Sequence, residues 1–129
     1  PLIVKLIYLA KGVEGCFYCT DSMEAAGMRD GIYRLGNGTV SVQNGIARKG
    51  ERLAGSTLTM DQGLRLLVEE ADIPLHDALR MGTRNPADVI GRPDLGRLVP
   101  GSKADFVLWD DTLHVEATYV EGRCLYRAD

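Results

Sequence analysis

The pattern of apolar and polar positions changes character several times along this chain. Leu2-Ile3-Val4-Lys5-Leu6-Ile7-Tyr8-Leu9-Ala10 is apolar but for Lys5 and predicts a mostly buried helix, with Gly12 as its C-cap. Cys16-Phe17-Tyr18-Cys19-Thr20 is an uninterrupted apolar run that ends abruptly in Asp21. Such a run predicts a strand buried on both faces, as in a parallel sheet or barrel. A helix, a short turn and an apolar strand make the second half of a βαβ unit. One such half forms no sheet by itself, so the strand calls for parallel neighbours that this chain does not supply.

Residues 22–31 read as a loop. In residues 32–49 the runs shorten to Ile32-Tyr33-Arg34-Leu35, Val40-Ser41-Val42 and Ile46-Ala47-Arg48, punctuated by Asn37-Gly38 and Asn44-Gly45. Asn-Gly suits the two positive-φ positions of a type I′ turn, so this stretch predicts an antiparallel excursion after the buried strand. A helix follows, with Thr59 as cap and Gln62 completing a capping box. Met60, Leu64, Leu67, Val68 and Ala71 form its buried stripe. A second helix begins near Pro74 and buries Leu75, Ala78 and Leu79. A third has Asn85 as N-cap, Pro86 at its first position and Gly91 at its close. From residue 98 the texture turns to strands again, over 104–110, 113–120 and 123–126, with Glu121-Gly122 as a tight turn. This last part reads as a piece of a second small domain.

Composition narrows the class. The chain has 129 residues, 45% hydrophobic and 26% charged, enough for one folded domain of ordinary size. A net charge of -3 argues against a nucleic-acid surface, which needs a basic patch. No apolar run reaches the roughly 18 residues of a membrane span. The apolar start lacks a basic region and a small-residue cleavage site, so no signal peptide is predicted. The first residue is Pro1, which fits a fragment, a processed chain or a trimmed one.

Cys16 and Cys19 form a C-x-x-C string that invites a redox or zinc reading. On a strand, residues three apart face opposite sides and lie roughly 10 Å apart, so the two thiols share neither a metal nor a disulfide. They read instead as two small buried apolar residues. Free thiols suit a reducing cytoplasm, the expected location.

Two segments carry chemistry. Asp21 stands just past the C-terminal end of a buried strand, where α/β barrels place their catalytic groups; a loop or helix cap is its ordinary alternative. Leu53-Ala54-Gly55-Ser56-Thr57-Leu58-Thr59-Met60 is a glycine turn opening into a helix. Thr20-Asp21-Ser22-Met23-Glu24-Ala25-Ala26-Gly27 resembles the Thr-Asp-Ala-Met-x-Ala-Ala-Gly segment of N-acetylglucosamine-6-phosphate deacetylases, in the metal-dependent amidohydrolase superfamily. Residues 53–60 resemble their Leu-Ala-Gly-Ser-x-Leu-Thr-Met segment. Asn85-Pro86-Ala87, Gly96 to Gly101 and Ala104-Asp105-Phe106 also resemble the tail shared by dihydroorotases, hydantoinases and deaminases.

The resemblance implies an α/β fold: the C-terminal part of a (β/α)8 barrel over residues 1–97, carrying the excursion 32–49, and a small antiparallel β-sandwich piece over 98–129. It implies hydrolysis of the acetamide of N-acetylglucosamine 6-phosphate, with a divalent metal, zinc by expectation, activating water. Asp21 would take the water proton and return it to the leaving nitrogen; it is also the one residue of the chain that could touch the metal. Leu53, Ala54 and Gly55 would lie against the sugar, largely through backbone. Ser22 stands where the resembling segment has Ala.

The metal ligands implied by the resemblance, a Glu and two His, lie on earlier strands, and the phosphate-binding residues it implies also lie upstream. His76 and His114 read as ordinary surface or half-buried residues. A full barrel takes about 250 residues. The chain alone is therefore expected to bind no catalytic metal, to be inactive, and to need the rest of the barrel as partner. Apolar faces around Leu6, Phe17 and Leu67 should then be exposed and drive association. The whole enzyme is expected to be a homo-oligomer, a dimer, acting on an amino-sugar phosphate, with no nucleic-acid or membrane partner. The alternatives are another cyclic amidase or deaminase of the superfamily, which residues 53–60 argue against, and a truncated, non-catalytic module.

Overall fold

Helix α1 (Leu2–Lys11) forms where the apolar run places it, and Gly12 closes it by donating its N–H to Tyr8 O at 2.8 Å. The computed structural model describes residues 1–129. The burial of α1 differs from expectation. None of its residues is buried, and Leu2, Ile3, Leu6, Ile7 and Leu9 are all exposed, because no other element of the chain covers them. Its anchors are the half-buried Lys5 and Tyr8. Lys5 pairs with Asp72 at 3.1 Å, and the Tyr8 hydroxyl donates to the Asp77 carboxylate. That bond, with desolvation and the Asp77 charge, holds the Tyr8 phenol above its ordinary pKa.

Residues 16–20 correct the expected strand. Cys16 is extended, with φ −127 and ψ 140, but residues 16–20 join no ladder. A strand exists through its pairing partner, and no other stretch of the chain pairs with this one. Tertiary bonds hold the segment instead. Tyr18 N–H donates to Met81 O at 3.1 Å, and the Asn85 amide donates to Val13 O and Cys16 O, each at 2.6 Å. Burial alternates as on a strand packed on one face: Cys16 is buried, Phe17 exposed, Tyr18 half-buried and Cys19 exposed. The two thiols do face apart, but Cys19 is not buried as expected; all three cysteines are free.

The chain divides into two compact units, residues 1–18 with 64–129, and residues 19–63. The second unit is a meander of β1 (Gly31–Leu35), β2 (Gly38–Gln43), β3 (Ile46–Lys49) and β4 (Arg52–Leu53), each strand antiparallel to the next. Its turns are two residues long. Asn44 and Gly45 both take positive φ, as type I′ requires. The first turn departs from the predicted Asn37-Gly38. Register pairs Leu35 with Gly38, so Gly36-Asn37 form the turn and only Gly36 has positive φ, the type II′ pattern. The Asp30 carboxylate accepts from Asn44 N–H at 2.6 Å and Gly45 N–H at 3.2 Å, pinning the second turn. Val40, Val42 and Ala47 turn inward onto Met23 and Ala25, a small separate core flanked by Tyr33 and Ala54.

The first unit is built on Cys16, Leu64, Leu67, Ala71, Ile73, Ala78 and Met81, flanked by Tyr8, Val13, Tyr18 and Trp109. Helix α2 (Met60–Arg65) begins with half of the predicted capping box, Thr59 N–H donating to Gln62 Oε1 at 3.2 Å. It then widens into a π turn (Leu66–Glu70), closed by Ala71 N–H to Leu66 O at 3.0 Å. Of the predicted stripe, Leu64, Leu67 and Ala71 are buried, Val68 is half-buried and Met60 is exposed. Leu67 is therefore core, not the exposed face expected of it, whereas Leu6 and Phe17 are exposed as expected.

Helix α3 (Leu75–Gly82) buries Ala78 and Met81 and leaves Leu75 exposed. Helix α4 (Arg84–Val89) starts after Thr83, so Asn85 is not its cap. The carbonyls of Val13 and Cys16 take the Asn85 donors, and an open helix end can be satisfied by water. Gly96 lies so close to the start of α4 that a Cβ there would fall 2.5 Å from Thr83 O, which admits only glycine. A three-stranded antiparallel sheet, β5 (Phe106–Trp109), β6 (Val115–Val120) and β7 (Arg123–Arg127), ends the chain. Glu121 and Gly122 form the predicted turn, both at positive φ, and Phe106 stacks on Tyr119 with centroids 4.5 Å apart. No helix is long and apolar enough to cross a membrane.

Candidate functional site

The two segments singled out in the sequence meet inside the 19–63 unit. Ser22 and Ser56 form an isolated parallel bridge, and Met23 N–H donates to Ser56 O at 2.8 Å. Asp21 and Gly55 each stand one residue before the bridged pair, so the register sets them side by side. The meander returns the chain to this point, a closure that hairpins make cheap because each turn is local.

Asp21 is exposed and holds φ at 47, the left-handed region that Asp tolerates better than most residues. That backbone turns the chain at the end of the extended run. Gly55 has φ 109, and a Cβ there would meet Met23 Sδ at 3.2 Å. Met23, itself buried, fills the space under the turn, so glycine is required both by conformation and by contact. Ala54 faces the small core and donates its N–H to Ala47 O at 3.0 Å. Leu53 pairs with Arg48, whose neighbour Ala47 is inward, and lies exposed on the opposite face of the sheet.

The sequence did not single out the groups that tie these pieces together. The Ser22 hydroxyl donates to Leu58 O, and Ser56 Oγ accepts from Leu58 N–H at 3.1 Å. Thr57 Oγ1 donates to Gly45 O, joining the turn to the β2–β3 hairpin. The signal for the Ser56 contact is local, a serine whose side chain accepts from the N–H two residues on. The Ser22 contact spans 36 residues and has no local signal.

The chain assembles no metal centre: no three His, Cys, Asp or Glu side chains come together. His76 belongs to the first unit, exposed, with Nε2 3.0 Å from Asp77 Oδ1. His114 Nδ1 lies 2.8 Å from Thr112 Oγ1 and 3.8 Å from Asp110 Oδ1. The His114 backbone N–H bond, with the Thr112 hydroxyl, holds Asp110 below the ordinary carboxylate pKa. Asp21 is in the other unit. The residues present do not fit a divalent cation by themselves.

A profile described as the amidohydrolase family matches residues 5–125. The chain belongs to the amidohydrolase family. Over its whole length it is 34% identical to an N-acetylgalactosamine-6-phosphate deacetylase of Shewanella, of which it covers 33%. The crystal structure of N-acetylglucosamine-6-phosphate deacetylase from Thermotoga maritima matches with TM-score 0.88 and 35% identity, covering 97% of this chain and 35% of that one. A mutant of the N-acetyl-D-glucosamine-6-phosphate deacetylase from Mycobacterium smegmatis, in complex with N-acetyl-D-glucosamine-6-phosphate, matches with TM-score 0.85 and 39% identity over 95% of this chain and 33% of that one. The chain thus spans about a third of the length of these relatives and shares the fold of the corresponding part of the solved deacetylases.

Proposed function

We propose that this amidohydrolase chain carries the proton-transfer and sugar-contact elements of a deacetylase acting on an N-acetylhexosamine 6-phosphate. The observation that carries the reading is the junction of the segment ending at Asp21 with the Leu53–Gly55 turn through the Ser22–Ser56 bridge. The bridge brings the backbone at Asp21 and the glycine turn together from two parts of the chain.

In the proposed reaction the Asp21 carboxylate takes a proton from the water attacking the acetamide carbonyl. The same carboxyl group then gives that proton to the departing nitrogen, so the amine leaves neutral and acetate is released. Leu53, Ala54 and Gly55 would border the sugar, largely through backbone. A divalent metal, zinc by expectation, would have to be held by groups outside this chain, with Asp21 as the chain's single contact to it. Residues 1–97 are read as the C-terminal part of the barrel and 98–129 as the sandwich piece. The exposed apolar residues of α1 and Phe17 support a dependence on the rest of the barrel. A homodimer and a cytoplasmic location complete the reading.

The test is acetate release by the full-length protein with added Zn²⁺, beside Asp21→Asn. Asn also tolerates the left-handed backbone, so the variant removes proton transfer without straining the turn. A loss of about 10²-fold or more is expected; activity equal to the parent would remove Asp21 from the reaction. The Shewanella relative favours a second sugar, the galactosamine compound, which differs at C4. Comparing kcat/KM for the two N-acetyl sugar phosphates decides between them.

A further inference from the structure

We infer that Ser22 is a positioning residue, whose hydroxyl holds the chain at Asp21 in register with the Leu53–Gly55 turn. The inference rests on the reading of Asp21 as proton shuttle and 53–55 as the sugar-facing turn.

Three observations point to it. Ser22 is the residue directly after Asp21 and is itself bridged to Ser56, the residue directly after Gly55. Its hydroxyl donates to Leu58 O, so the Ser22 side chain is bonded to the same segment that its backbone lies against. Met23, next in line, makes that bridge's backbone bond, its N–H to Ser56 O, and seats its side chain beneath Gly55. The segment before Asp21 forms no strand ladder, so the connection to the turn is made at Ser22 and Met23. The Ser22 bond joins residues 36 apart. Leu58 stands at the foot of the turn, two residues before α2 begins at Met60. Alanine, which occupies this place in the segment that residues 20–27 resemble, could not make the bond. Ser22 is exposed, so its methylated analogue threonine has room to make it.

Ser22 touches no reacting atom in this account. It acts through Asp21, whose distance from the turn it limits. A proton donor displaced relative to bound substrate loses rate more than binding.

The experiment uses the full-length protein with Ser22→Ala and Ser22→Thr. Ser22→Ala is expected to lower kcat about five- to tenfold, the range of one net hydrogen bond, with KM within about twofold. Amide exchange at Met23 should quicken by a similar factor, and Ser22→Thr should restore both. Unchanged kcat and exchange in Ser22→Ala, or a Thr variant that restores neither, would overturn the inference. If the parent protein releases no acetate, the functional reading fails separately. Met23 exchange alone then decides whether Ser22 is the tie: quickened by Ala and restored by Thr sustains it, and no change overturns it.

Discussion

The meander of residues 31–53 and the segment 16–20 are both rich in apolar, strand-forming residues, and only the first forms strands. The meander brings each strand's partner with it. Every ladder closes through a two-residue turn, and the inward set Val40, Val42 and Ala47 finds its own small core. The 16–20 segment has an equally clear pattern but no partner within the chain. Asn85 and Met81 hold its backbone from outside. Apolar pattern states what a segment can bury; hydrogen-bond partners decide whether it becomes a strand.

The comparison can be broken most strongly at the core that supports the second region. Leu64 is 1% exposed, beside Cys16 and Met81. Leu64→Ala should cost about 2–5 kcal/mol in urea unfolding, and exchange at Met23, in the other unit, should change far less. Equal losses in both units would mean that the two do not unfold separately.

Asn85→Ala sharpens the contrast. It removes both donors from Val13 O and Cys16 O, at an expected cost of about 1–3 kcal/mol. The effect should concentrate as faster amide exchange at Tyr18. Unchanged exchange there would show that Met81 and packing suffice.

Gly45→Ala is the matching test of the meander. A Cβ at Gly45 meets nothing within 4 Å, but φ is +69. The cost is therefore conformational, about 1–2 kcal/mol, read as a lower thermal midpoint with register intact by NMR.

The smallest effect is electrostatic and confined to the first unit. Hydrogen bonding to Arg92, at 2.8 and 2.7 Å, holds the Asp94 carboxyl down to about 2. A lowered folded-state pKa adds stability that is present above the ordinary carboxylate value and fades as pH falls toward 2. The pair is surface-exposed and so contributes little. Between pH 4 and 2 the parent should lose slightly more stability than Asp94→Asn; parallel curves would remove the pair from the acid response.

The sequence by itself determined the elements that depend on neighbours in the chain. These are α1 and its stop at Gly12, the short strands with their Asn44-Gly45 and Glu121-Gly122 turns, and half of the capping box at Thr59. It also picked out Asp21 and residues 53–55 before anything brought them together. Local rules failed where distant groups compete. Asn85 had the chemistry of a helix cap and was drawn to buried carbonyls in another element. The first hairpin turned at Gly36-Asn37 because register, not the dipeptide, set the turn. Leu2 to Leu9 are apolar yet exposed, since burial needs a covering surface. Only the tertiary structure set Ser22 against Ser56 and Leu58 and so placed Asp21 beside Gly55. A contact between residues 36 apart depends on how three successive turns return the chain, and no window of sequence contains that sum.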